Sequence, residues 1–265
     1  MVAAKCSIVS RLLACGAFSL LAGCGGPVSP VPGARPAAEE GGYLAPPAPD
    51  AVRLAGAGVS LSGSAAAGAK VRLATPQGQA MFADADGHGR WTIDLGADAA
   101  PRIFGLSATA RGHQTQAEGY VLVTPSGQAA LLRAGAGARR IDELRGTGLR
   151  AIDFDRGGGV EVSARVPAGA TVILRLDGRQ VAQGRADAAG RYDAGLPTTG
   201  STLPVRPGFH QVQVFGDGFS DTVGFQLSPA QPLAQGPLRS QLTSAGLRVD
   251  WMTPGGGVQS TILIH

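Results

Sequence analysis

The sequence predicts an all-β protein made of two tandem antiparallel β-sandwiches, and three observations carry that expectation. Beyond residue 24 no stretch shows the 3.6-residue apolar period of an amphipathic helix. Short segments of alternating apolar and polar residues recur instead, divided by Gly, Asp and Pro turn signals every ten or so residues. Residues 58–95 also align without a gap to residues 159–196. Gly58, Val59, Ser62, Ala67, Gly68, Ala69, Val71, Leu73, Gln79, Ala85, Asp86, Gly89, Arg90 and Leu95 all recur 101 positions later, and Trp91 is answered by Tyr192. A spacing near 100 residues is that of one compact domain duplicated, not of a solenoid repeat.

Taken in order, the chain opens with Lys5 and Arg11 ahead of an apolar run from Leu12 to Ala22, too short for a permanent transmembrane helix and typical of a secretory signal. From Gly25 to Asp50 stand prolines 27, 30, 32, 36, 46, 47 and 49 with no apolar pattern between them. This reads as a tether reaching about 80 Å at most in an extended polyproline-like state. In the first copy, Ala69-Lys70-Val71-Arg72-Leu73 alternates so that a pleat turns Val71 and Leu73 inward, and Val172, Leu174 and Leu176 repeat the inward set. Ala85 to Trp91 and Ala186 to Tyr192 place Asp and Gly where a tight hairpin needs an acceptor and a positive φ. Further strands follow at 106–110 and 210–214, then at 120–124 and 225–228. Residues 129–133 and 138–141 add two short strands between the copies, and Ala136–Asp142 is echoed at Ala245–Asp250.

At the end, Leu247, Val249 and Trp251 share one face, Pro254-Gly-Gly-Gly257 turns the chain, and residues 258–264 return as a strand. This C-terminal hairpin has two readings: it docks on the second sandwich and closes its core, or it leaves an unguarded edge open to a partner strand. The organisation that results is a signal at 1–23, a linker with Cys24 at 24–50, sandwiches at 51–141 and 142–246, and the hairpin at 247–265.

Two resemblances add to this reading. Leu21-Ala22-Gly23-Cys24, placed behind the apolar run, resembles the bacterial lipoprotein lipobox. That resemblance implies cleavage before Cys24, lipid attachment there, and membrane association through several acyl chains, since one chain binds only marginally. Gly25, where inner-membrane retention is associated with Asp, implies the outer membrane. The run from the Val/Ser strand through Ala-Gly-Ala-x-Val-x-Leu to Ala-Asp-x-x-Gly-Arg-aromatic resembles the bacterial immunoglobulin-like domains of envelope and surface proteins. It implies a structural, adhesive or protein-interaction role, with an envelope protein as partner.

Composition limits the alternatives. The chain has 23 Lys and Arg against 19 Asp and Glu, and losing Lys5 and Arg11 with the signal leaves 21 against 19, or +2. Such a balance argues against electrostatic nucleic-acid binding. Cys6 and Cys15 fall in the signal, so Cys24 is the sole mature cysteine and packing must hold the fold.

Chemistry-bearing residues are sparse. Asp84 and Asp86 flank a glycine turn and are the weak metal candidates, but calcium wants six to eight oxygens and a β-turn explains them as well. His88, His113, His210 and His265 are scattered, and no nucleophile elbow or phosphate loop is present. Neither catalysis nor a cofactor is expected. Trp91 and Tyr192 suit core anchors. Trp251 is the candidate platform for the alternative role, a carbohydrate- or peptidoglycan-binding module.

Overall fold

The computed structural model describes residues 44–142, 144–196 and 205–265, and the signal, Cys24 and most of the linker lie outside them. The first sandwich is built from β1 (Ala48–Ala55), β2 (Gly58–Ser64), β3 (Lys70–Ala74), β4 (Ala80–Asp84), β5 (Arg90–Leu95), β6 (Arg102–Ala110), β7 (His113–Val123), β8 (Ala129–Leu132) and β9 (Arg139–Arg140). A three-stranded sheet, β1-β2-β5, faces a six-stranded one, β4-β3-β6-β7-β8-β9, and every pairing is antiparallel. The second sandwich uses β10 (Gly148–Phe154), β11 (Val160–Arg165), β12 (Thr171–Leu176), β13 (Arg179–Arg185), β14 (Arg191–Gly195), β15 (Gly208–Gly216), β16 (Phe219–Leu227), β17 (Leu238–Leu242), β18 (Gly246–Met252) and β19 (Val258–Ile264). Here a four-stranded sheet, β13-β12-β15-β16, faces the six-stranded β14-β11-β10-β19-β18-β17. In both copies the first two strands and the fifth form one sheet while the third, fourth, sixth and seventh form the other, the Greek-key partition of immunoglobulin-like sandwiches.

The residues that repeat are those that fix this partition. Val59, Leu61, Val71, Leu73 and Trp91 line the first core, and Val160, Val162, Val172, Leu174 and Tyr192 line the second. Asp86 and Asp187 each open the same turn: a backbone bond from the glycine N–H three residues on, a second to the carbonyl four residues on, and Gly89 and Gly190 at φ of 75° and 74°. A side chain at Gly89 would run into the Ala65 carbonyl, so the position is closed on two counts.

Three features differ from the sequence reading. The first strand begins at Ala48, inside the stretch assigned to the linker; Pro49 is accommodated because β1 is an edge strand with a register shift between Pro49 and Ala51. The echo of Ala136–Asp142 in Ala245–Asp250 is not a structural equivalence, because β9 ends the sheet of the first sandwich whereas β18 lies inside a sheet of the second. The true counterpart of β18–β19 is β10–β11. Gly148-Leu-Arg and Gly246-Leu-Arg open the two hairpins with φ of 142° and 150°, and Gly158 and Gly256 close the turns, both at 79°.

At the end of the chain the docking reading of the hairpin holds, and the third difference is a further apolar layer that the hairpin also builds. β19 lies between β10 and β18, hydrogen-bonded on both sides, so it is a central strand with no free edge. Its alternate residues serve two cores. Ile262 and Ile264 enter the second sandwich, while Leu263 points the other way into a third apolar layer with Ile103, Leu122, Ala130, Leu132, Ala138, Ala151, Leu247, Val249 and Trp251. That layer joins the back of the β6-β7-β8 surface to the back of β10, β18 and β19. Residues Leu44–His265 are thus one compact unit of four stacked sheets. Deleting residues 253–265 is expected to abolish cooperative unfolding of the second sandwich, and Leu263→Ala to cost about 2–5 kcal/mol. Chemical denaturation checks both, and unchanged stability in the deletion would contradict a central β19.

Candidate functional site

The layer between the sandwiches contains a buried polar chain. Trp251, with no exposed surface, donates its indole N–H to Thr261 Oγ1 at 3.0 Å, and Thr261 donates in turn to Asp153 Oδ1. Asp153 Oδ2 accepts the backbone N–H of Ala138 from the first sandwich at 2.7 Å. Among the described residues no cation pairs with this carboxylate, and burial pushes its pKa up to about 6 against the hydrogen bonds that favour its charged form. Neighbouring Glu161 is raised to about 7, by burial and then by repulsion from Asp153. Asp250, in the other hairpin, behaves oppositely. Burial works to raise it, but Arg239, Ser260 and Arg248 all donate to it and hold it below the usual range.

Trp251 is therefore no platform for a sugar. Its ring meets Tyr120 edge-on at 6.1 Å inside the joint, because the hairpin that carries it packs against the first sandwich. Asp84 ends β4 and Asp86 opens the turn that follows. Asp86 Oδ1 accepts the N–H groups of His88 and Arg90, both at 2.8 Å, bonds that hold its carboxyl low and define a turn. Among the described residues no three His, Cys, Asp or Glu side chains cluster to hold an ion. Trp91 and Tyr192 are core residues, 3% and 5% exposed. His210 faces two acceptors, Asp177 Oδ2 at Nδ1 and the Arg206 carbonyl at Nε2, both at 2.7 Å; burial opposes its charge, yet donating to both raises its pKa.

The open surface that the sequence did not reveal is the outer face of β4-β3-β6-β7. The register sets Phe82, Arg72, Ser107 and Gln116 in one row across four strands, and Asp84, Lys70, Thr109 and Gln114 in the next. A third row, Ala80, Ala74, Gly105 and Tyr120, has almost no side chains until Tyr120, and so forms a trough. Two hollows of about 410 and 520 Å³ meet over it, sharing Arg72, Gly105, Tyr120 and Pro254. The turn of the C-terminal hairpin forms one wall, through Thr253 and Pro254, and Glu118, thrown out by the irregularity in β7, flanks the other hollow. Phe82 stands at the rim, 56% exposed, with Lys70 Nζ 5.7 Å from its ring centre. Alternation along β3 was readable in the sequence, but which outward face the other sandwich would cover was not.

No protein-family model matches the chain, and no curated protein sequence does. Among solved structures it is similar to the BSP domain of a biofilm-associated protein, at 11% identity and a TM-score of 0.25, covering 72% of this chain and 30% of that one. The central fibronectin-III array of RIM-binding protein gives 12% identity and 0.24, covering 83% and 89%. A tetra-tandem repeat in the extending region of a large adhesion protein gives 15% and 0.23, covering 81% and 57%. The chain thus spans less than a third of the first of these, and scores this low carry no functional weight.

The two raised carboxyls fix the sign of the pH dependence. Each binds its proton more tightly folded than unfolded, so the stability they contribute is present at low pH and is lost as pH rises from about 4 through 6 and 7. His210, raised above 6.5, adds in the same direction, and the lowered carboxyls of Asp86, Asp177, Asp187 and Asp250 cost stability only below 3.8. Melting temperature is expected to fall between pH 4 and 8, with Asp153 responsible for about 2–3 kcal/mol across that window. Asp153→Asn should flatten that slope, as urea titrations at several pH values would register.

Proposed function

We propose that this protein is a non-catalytic envelope lipoprotein, lipid-anchored through Cys24 to the outer membrane, that presents its paired sandwiches as a rigid interaction or adhesion module. The observation that supports the reading best is the open groove over Gly105. It lies on a sheet stiffened from behind by one core and from the side by the C-terminal hairpin, so an extended partner meets a preformed surface with little ordering cost. Anchorage rests on the lipobox resemblance of Leu21-Ala22-Gly23-Cys24, and the Pro-rich linker supplies clearance from the headgroups.

A second reading, a glycan-binding module, is favoured by one feature of the same groove. Phe82 offers an exposed ring beside Arg72, in a row that continues through Ser107 and Gln116, the mixture of apolar face and planar hydrogen-bonding groups that sugars take. Phe82 thereby replaces Trp251 as the aromatic of this alternative.

Site-specific photocrosslinking in intact cells tests both. A crosslinker at Gln116 is expected to give a discrete adduct, while one at Thr92, exposed on the opposite sheet, gives none. Gly105→Leu fits without strain, the nearest atom to its added Cβ being the Ala74 carbonyl oxygen at 4.0 Å, and should fill the trough, removing the adduct with melting unchanged. A protease-resistant adduct identifies a glycan. Equal labelling at both positions would contradict the groove, and full membrane recovery of Cys24→Ser would contradict the anchor.

A further inference from the structure

A separate hollow, of about 530 Å³, opens where the end of the first sandwich meets the β10-β11-β14 side of the second. Its lining gathers Arg139, Arg140, Arg145, Arg150, Arg165 and Arg191 against Asp50, Asp142 and Asp193. Those carboxylates are already engaged, Asp142 by Arg140, Asp193 by Arg133 and Asp50 by Arg90. The described lining thus carries six cations against three anions.

Arg140 is paired with Asp142 and Arg191 with Asp187, and the other four arginines are placed as though awaiting a counter-charge. Arg165 and Arg191 are direct cross-strand partners, an arrangement that repels. Arg150 donates only to carbonyls, those of Leu149 and Gly146. The side chains of Arg139, Arg145 and Arg165 make no hydrogen bond or ion pair with another described residue. Burial, followed by repulsion from neighbouring arginines, lowers the pKa of both Arg139 and Arg150.

An independent observation marks the floor. Ser163, opposite Ala151 and Asp193 in the sheet and 4% exposed, lines this hollow with its hydroxyl buried and without a partner. A buried hydroxyl left unpaired costs about 1–3 kcal/mol, and a neutral Ala would avoid the cost. A ligand oxygen is the natural acceptor.

We infer that this hollow binds a phosphate group, held by Arg139, Arg150 and Arg165 with Ser163 donating to a further oxygen. Guanidinium forks match phosphate oxygens in pairs, and a dianion with three free oxygens answers several arginines and a hydroxyl where a carboxylate would not. The volume admits a phosphate together with the sugar or glycerol that carries it. This site lies apart from the groove over Gly105 and does not rest on that reading.

The test uses the full chain with Cys24→Ser and inorganic phosphate as probe. Phosphate is expected to raise the melting temperature saturably at fixed ionic strength, where sodium chloride does not. Ser163→Ala should weaken phosphate about 3–10-fold while leaving the unliganded protein as stable or more so, and Arg139→Ala should weaken it about tenfold or more without lowering stability. Those paired readouts separate a binding role from a structural one. Comparing phosphatidylcholine vesicles with and without phosphatidylglycerol, against glucose 6-phosphate in solution, tells a lipid headgroup from a phosphorylated sugar. Equal shifts with phosphate and chloride, or unchanged phosphate binding in Arg139→Ala/Arg165→Ala, would overturn the proposal.

Discussion

The burial of one apolar layer between the two six-stranded sheets governs everything else in this molecule. Each sheet must be hydrophobic on both faces, which is why β8 reads Ala129-Ala-Leu-Leu132 with no polar residue and why β19 runs Ser260-Thr-Ile-Leu-Ile264. Strands of that kind are insoluble unless both faces are covered. The duplication supplied two sandwiches; the added hairpin β18–β19 supplied the surface through which they join. Trp251 fills the middle of that surface, and the Trp251–Thr261–Asp153–Ala138 chain gives the joint a fixed register that apolar contact alone would not impose.

The joint also creates the surfaces on which a function can be built. By covering the back of β7 and β8 but not that of β3 and β4, it leaves a half-open sheet with a wall at one side, and the trough over Gly105 is the result. At its other margin it brings Arg139 to Arg145 of one sandwich against Arg150, Arg165 and Arg191 of the other, a concentration of charge that neither possesses alone. Both hollows follow from docking two otherwise ordinary modules.

Much of the fold was legible because the informative signals are local. Alternation at Val71 and Leu73, the Asp86 and Asp187 turns and the 101-residue repeat each depend on neighbours in sequence, and each specified its strand or hairpin. What was not legible depends on which faces meet. Trp251 and Phe82 are both aromatics on short strands; the apolar face that Trp251 shares with Leu247 and Val249 points inward, but the sequence does not say that the first sandwich covers it while Phe82 stays exposed. The likeness between Gly148-Leu-Arg and Gly246-Leu-Arg, each ten residues ahead of its turn glycine, was present in the sequence, but three shared residues are a faint signal beside the 101-residue repeat. The arginine cleft was invisible for a simpler reason: overall charge near neutrality conceals a local excess.

The central claim is that the two sandwiches unfold as one body. Differential scanning calorimetry of the full chain, comparing the calorimetric with the van't Hoff enthalpy, addresses it most directly. The account predicts a single transition in which the two enthalpies agree, separating into two only when Trp251 is replaced by Ala. Two independent transitions in the unaltered protein would show that the shared layer does not couple the modules, and the account would fail.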